Sequence, residues 1–212
     1  MVNERDAIVD AALALAEEQA WEQVRLYRVA ERLGIPLQAV SGHFREKEDI
    51  ADAWFDRADA AMLEAAESGL LSGLNTVDRL EHLIFIWLGT LAPHRKVTSQ
   101  MIRNKLEPGH LHVQIPAVLR ISRTVQWLRE TAHRDAHGIY RGLEETVLSA
   151  IFVSTFVYWL GDSSKRHQRT RAGLRRALGA ASRLSRWLPG HAGGHGHPHG
   201  ALPRPQAMTR VQ

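Results

Sequence analysis

The sequence predicts an all-α protein in which a small three-helix domain precedes a larger helical one. Three observations carry that expectation: apolar residues recur at three- and four-residue spacing nearly throughout, no stretch alternates as a half-buried strand would, and the breaks fall on glycine, proline and asparagine. With 212 residues, 44% of them hydrophobic, the chain has the length of one large or two small domains and enough apolar side chains for a sizeable core.

In the first helix Ile8, Ala11, Ala12, Leu15 and Ala16 share one face, and the pattern stops near Gln19 and Ala20. A second helix is expected from Leu26 to Leu33, where Gly34 supplies the left-handed residue that ends it. After Ile35 and Pro36 a short third helix passes through Val40 toward Phe44, and a long fourth begins near Lys47 with Ile50, Trp54, Ala58 and Ala61 along it. Gly69, Gly73 and Asn75 mark a break, so residues 1–60 are expected to form the first domain and residues 70–188 the second. Helices in the second domain are expected at roughly 76–91, 95–106, 116–133, 139–160 and 165–187, punctuated by Pro93, Pro108, Gly109 and Pro116. Residues 189–212 are rich in Gly, Pro and His and are expected to be a disordered tail.

The most informative segment is Val24 to Lys47. Ala30, Gly34 and Val40 have the spacing of a helix-turn-helix: a small residue where two helices cross, a glycine at the turn, and an apolar residue locking the second helix onto the first. Leu26, Val29, Leu33, Ile35 and Phe44 supply the core around them. Gln38, Ser41 and His43 on the second helix are candidates for base or backbone contact. Lys47, at a helix start, is a candidate for phosphate, and Arg25 is a further candidate for DNA contact.

These residues resemble the TetR family of transcriptional regulators over residues 4–60, through Val29-Ala30-Glu31-Arg32-Leu33-Gly34-Ile35, Val40, His43-Phe44 and Lys47-Glu48-Asp49-Ile50. The resemblance implies a TetR-like fold, a homodimer that places two recognition helices on a double-stranded DNA operator, and release by a small ligand held in the second domain. This chain departs from the family at the contacting positions. Leu37 stands where a lysine is usual, Ala39 where a threonine is, Ser41 and Gly42 where a phosphate-binding tyrosine is, and Val24 where a threonine opens the second helix.

Charge gives the DNA reading no help. The net charge of +4 divides into −6 over residues 1–60, +1 over 61–160 and +9 over 161–212, and residues 21–50 are neutral. Counterion release follows local charge, so either a few well-placed contacts suffice or the reading domain has lapsed.

In the second domain Leu80, Leu83, Ile84, Trp87, Leu88 and Leu91 form a wide apolar face, and Met101, Trp127, Phe152, Phe156 and Trp159 add large side chains from other helices. The six large ones, from Trp87 to Trp159, are the candidate lining of a pocket for an apolar ligand or lipid. Leu91-Ala92-Pro93-His94-Arg95, Ser122-Arg123-Thr124-Val125 and Thr155-Phe156-Val157-Tyr158-Trp159-Leu160, with Asp162 and Ser163, resemble the lipid-binding accessory proteins of ubiquinone biosynthesis. That likeness implies an isoprenoid-lipid carrier with a degenerate reading domain and a membrane-seeking last helix. The last helix fits independently: Leu174, Ala177, Leu178, Ala181, Leu184 and Leu188 share one side, while Arg175, Arg176, Arg183 and Arg186, with Trp187 near the end, form a basic surface suited to peripheral membrane contact. The same pattern suits a dimerisation or core-covering helix.

No catalytic constellation is found: there is no nucleophile elbow, phosphate loop, HExxH or dinucleotide fingerprint, and Glu144 and Glu145 are adjacent rather than opposed across a cleft. The expectation is therefore a non-enzyme with no cofactor and no metal. His191, His195, His197 and His199 are read as part of a solvated tail, and His110 and His112 as pocket or surface groups. Cysteine is absent, no apolar run reaches the roughly 20 residues that span a bilayer, and Asn3, Glu4, Arg5 and Asp6 do not open a signal peptide, so a cytoplasmic location is expected.

Overall fold

A computed structural model describes residues 3–105, 111–131 and 139–185, and among these every regular element is a helix. The first domain holds α1 (Glu4–Gln19), a 3-10 turn (Trp21–Gln23), α2 (Leu26–Leu33) and α3 (Leu37–His43). The long α4 (Lys47–Glu67) leads into α5 (Thr76–Leu91), a 3-10 turn (Ala92–His94), α6 (Arg95–Lys105), α7 (Leu111–Thr131) and α8 (Ile139–Gly161). A last 3-10 turn (Lys165–His167) precedes α9 (Gln168–Ser185).

Local chemistry sets the helix ends. The Asn3 side chain accepts from the Arg5 N–H and opens α1. Gly34, at φ 65°, ends α2 with its N–H turned back on the Ala30 and Glu31 carbonyls, a conformation that an L residue enters at a cost. Glu46 and Asp49 form a reciprocal capping box on α4, and Asn75 accepts from the Asp78 N–H at 3.0 Å to start α5. Gly69 and Gly73 both take positive φ in the connection before it.

At 21 residues α4 is about 30 Å long and belongs to both domains. Near its start it buries Ile50 in the core of the first domain, and from Phe55 onward it buries Phe55, Ala58 and Met62 against the larger domain. Buried polar groups fasten the joint. The Asp59 carboxylate accepts from Trp87 Nε1 at 2.8 Å and Thr124 Oγ1 at 2.9 Å, joining α4 to α5 and α7. The Trp54 indole donates to Thr98 Oγ1 at 3.0 Å, and the Trp21 N–H to Gln100 Oε1 at 2.8 Å, so α6 grips both α4 and the turn after α1.

One expectation is corrected. Pro116 lies inside α7, which starts five residues earlier at Leu111. As the sixth residue of α7, Pro116 lies past the first turn, so the helix forgoes one backbone hydrogen bond there rather than beginning at the proline. The apolar side of α9 faces the core, in keeping with the core-covering alternative: Leu174 and Leu178 are buried where α9 packs on α5 and α8, and Arg171 and Arg175 pair with Glu81 and Asp78 of α5. The helix therefore covers the core, while Leu184, Arg176 and Arg183 stay exposed. Arg186, Trp187, Leu188, His110 and the tail from Pro189 lie outside the described residues, as does the side chain of His112.

Hydrogen bonds lock the entry to α9. Asp162 accepts from Thr170 Oγ1 at 2.6 Å and from the N–H groups of Ser164 and Thr170. The Ser164 and then the Thr170 contacts hold its carboxyl well below the usual carboxylate range. Arg95, at the start of α6, donates to the Trp159 and Asp162 carbonyls at 3.3 and 2.7 Å and lies over the Trp159 ring. Two of the three segments singled out in the second domain thus meet at Arg95.

Candidate nucleic-acid interface

The helix-turn-helix is built as its spacing requires. Ala30 and Val40 are buried between α2 and α3, Phe44 closes the core behind them, and the Gly34 turn redirects the chain between the two helices. Anchoring α3 through Val40 leaves Leu37, Gln38, Ser41, Gly42 and His43 exposed, so the second helix presents its opposite side outward.

Arg25 and Lys47 meet, although 22 residues separate them. Arg25 precedes α2 and donates through Nη1 to the Glu22 carbonyl at 2.7 Å and the Val24 carbonyl at 3.1 Å. Lys47 opens α4 and donates to the same Glu22 carbonyl at 3.3 Å and to the Trp21 carbonyl at 3.5 Å, its ammonium 5.9 Å from the Trp21 ring centroid. The turn after α1 therefore gathers two cations, each beside a helix start whose first N–H groups favour anions. Arg45, 92% exposed in the α3–α4 connection, pairs with Asp49 of α4 at 3.8 Å.

The remaining candidates differ in their commitments. Ser41 Oγ donates to the Gln38 carbonyl at 2.9 Å, and His43 Nε2 lies 3.3 Å from Glu4 Oε2 of α1. The Gln38 amide has no partner among the described residues. Tyr27, which is not among the sequence candidates, is 49% exposed on α2. Its signal was present: Leu26, Val29, Ala30 and Leu33 define the buried side of α2, and an aromatic at position 27 falls off it.

A cleft of about 490 Å³ lies between the end of α3 and the acidic side of α4, lined by His43, Arg45, Asp49, Asp52, Asp56 and Arg123 among others. Asp56 pairs at 3.8 Å with Arg5 of α1 and at 3.9 Å with Arg123 of α7, so the cleft spans both domains.

Of the candidate pocket residues, Trp87, Phe152, Phe156 and Trp159 are brought together. The Trp87 ring lies edge-on to Phe152 and Phe156 at 5.0 and 5.3 Å, Phe156 stacks on Trp159 at 6.1 Å, and Phe55 of α4 joins them. Met101 is buried in α6, whereas Trp127 is 41% exposed on α7. Among the described residues no group of His, Cys, Asp or Glu is arranged to hold a metal ion, and no helix is long and apolar enough to cross a membrane.

Comparison with known families gives two matches: residues 8–54 match bacterial regulatory proteins of the tetR family, and residues 146–185 match COQ9. The second falls on α8 and α9. The crystal structure of the TetR transcriptional regulator from Nitrosomonas europaea ATCC 19718 is similar with a TM-score of 0.76 and 50% identity, over 85% of this chain and 98% of that one. The TetR family transcriptional regulator PfmR from Thermus thermophilus is similar at a TM-score of 0.50 and 19% identity, over 81% of this chain and 96% of that one. A protein with unknown function from Rhodococcus sp. RHA1 gives 0.51 and 18%, over 85% and 96%. The last two share the fold alone. No match was found among curated proteins.

Proposed function

This chain belongs to the TetR family of transcriptional regulators, and from that premise we propose that it is a homodimer that binds a double-stranded DNA operator through α3 and answers to a small apolar ligand in its helical domain. The observation that carries the DNA reading is the convergence of Arg25 and Lys47 on the Glu22 carbonyl, beside an α3 whose outer side is exposed. Acids outnumber cations in this domain, and these two are held where a phosphate would meet both together with two helix starts. A neutral reading segment thereby concentrates its contacts rather than spreading them. Fluorescence anisotropy at low salt tests the proposal, with the protein's own promoter DNA against random duplex of equal length. Preference for the promoter supports it, and equal binding removes it.

The dimer is supported by exposed apolar side chains on the last two helices, Val157 and Tyr158 of α8 and Leu184 of α9, which a monomer would leave in water. The ligand site is the aromatic group of Trp87, Phe152, Phe156 and Trp159, with Met101 buried on α6 and Trp127 part-exposed on α7 as further candidates. An apolar molecule that parts these rings also displaces Trp87, whose indole is bonded to Asp59 of α4, the helix that Lys47 opens. That linkage gives a ligand a route to the DNA-facing cations.

The match of residues 146–185 to COQ9 favours a second reading, in which the helical domain carries an isoprenoid lipid. Membrane docking on the apolar side of α9 would require Leu174 and Leu178 to leave the core, so a lipid held inside is the form of this reading that suits the fold. Native mass spectrometry of freshly purified protein tests it. A co-purifying lipid supports it, and an empty protein that also ignores anionic vesicles removes it.

A further inference from the structure

We propose that Leu37 is a specificity-determining residue that reads the 5-methyl group of a thymine, with Gln38 reading an adenine beside it, so that each operator half-site carries A·T pairs under the start of α3. The inference rests on the DNA reading above and deepens it by naming what α3 recognises.

Four side chains of α3 are exposed and long or polar enough to reach a base: Leu37, Gln38, Ser41 and His43. Two of them are already committed, Ser41 to the Gln38 carbonyl and His43 to Glu4. Leu37 and Gln38 remain. Leu37 is 48% exposed, is not one of the apolar side chains packed on the core, and follows Pro36, whose extended backbone brings the chain into the helix. A leucine in that place adds little to folding and leaves its side chain open to a ligand. Recognition helices of this motif meet base edges with their first residues. The thymine methyl is the one apolar group that bases present in the major groove, while the glutamine amide matches the N6 and N7 pattern of adenine. An apolar residue where a lysine is usual therefore exchanges a cation for sequence information, which fits a segment with no net charge.

The test begins by selecting bound sequences from random duplex with the full-length protein, then replaces each thymine of the selected site by deoxyuridine, which removes the methyl and leaves the groove's hydrogen-bonding groups intact. At one or two positions per half-site, affinity should fall about fourfold, the effect of losing one buried methyl group. Leu37→Ala and Leu37→Lys, both checked for native helix content, should bind thymine and uracil duplexes alike. Gln38→Ala should keep the thymine preference and lose the adenine one. Indifference of the wild type to every deoxyuridine overturns the assignment, as does discrimination that survives in both Leu37 variants. If selection enriches no sequence at all, the operator reading itself falls, a result distinct from methyl indifference at a selected site.

Discussion

Arg25 and Lys47 share one acceptor. Both donate to the Glu22 carbonyl, at 2.7 and 3.3 Å, so two cations from the starts of different helices sit together at the turn after α1. A pair of this kind binds phosphate through charge and carries no sequence information. Arg25→Ala and Lys47→Ala should each weaken binding to operator and random duplex alike, and each should lower the slope of log K against log salt by about 1.8, because both subunits of the dimer lose a phosphate contact. Gln38→Ala should instead change preference between sequences, by roughly 1–3 kcal/mol at the base it reads. A salt titration of all three variants on both duplexes separates the cases. If Lys47→Ala altered preference and left the slope unchanged, the phosphate role would be wrong.

What the sequence made legible follows from how local each signal is. The bounds of α2, the left-handed Gly34 and the start of α5 after Asn75 all rest on chemistry within a few residues, and they emerge as expected. Lys47 was identified by its place at a helix start, but its meeting with Arg25 depends on how α4 is set against α1, which spacing does not encode. Periodicity showed that α9 is amphipathic without showing what its apolar side faces, and α5 and α8 cover it. Asp59 gave no signal at all: an aspartate among other acids of α4 reads as solvated until Trp87 and Thr124 close over it.

Asp59 is consequently a strong point of the fold. Removing its carboxylate strands the Trp87 indole N–H and the Thr124 hydroxyl in the interior, at about 1–3 kcal/mol for each group left unsatisfied. Asp59→Ala should lower the thermal midpoint markedly, while Asp59→Asn, which keeps an acceptor oxygen, should lose less. Circular dichroism melts of both variants make the comparison, and equal loss would mean that the hydrogen bonds at this joint matter less than the charge.

Asp162 should give the fold a recognisable response to acid. Its folded carboxyl is held below the ordinary value of 3.8 by the Ser164 and Thr170 bonds. The stabilisation is therefore fully present above that ordinary value and fades as pH falls from there toward the lower folded value. Asp162→Asn should melt below the wild type at pH 7 and at pH 5 by the same margin, and the margin should narrow below about pH 4. A margin that grew as the pH dropped would contradict the sign of the shift.

Dimerisation is the remaining expectation with a direct structural handle. Val157 and Tyr158 on α8 and Leu184 on α9 are each more than half exposed. Ala150, Ser154 and Gly161 continue the exposed stripe of α8 with small residues that let another helix approach closely. A charge placed in such a seam is stripped of water without a partner, which interfaces tolerate poorly. Val157→Glu and Tyr158→Glu should shift the protein from dimer to monomer in light scattering coupled to size exclusion, with helix content retained because neither side chain supports the core. Operator affinity should fall with them, since two recognition helices bind as one unit only while the subunits stay joined. An unchanged dimer in both variants would place the interface on another face of the molecule, and a wild-type monomer at micromolar concentration would remove the dimer from the proposal.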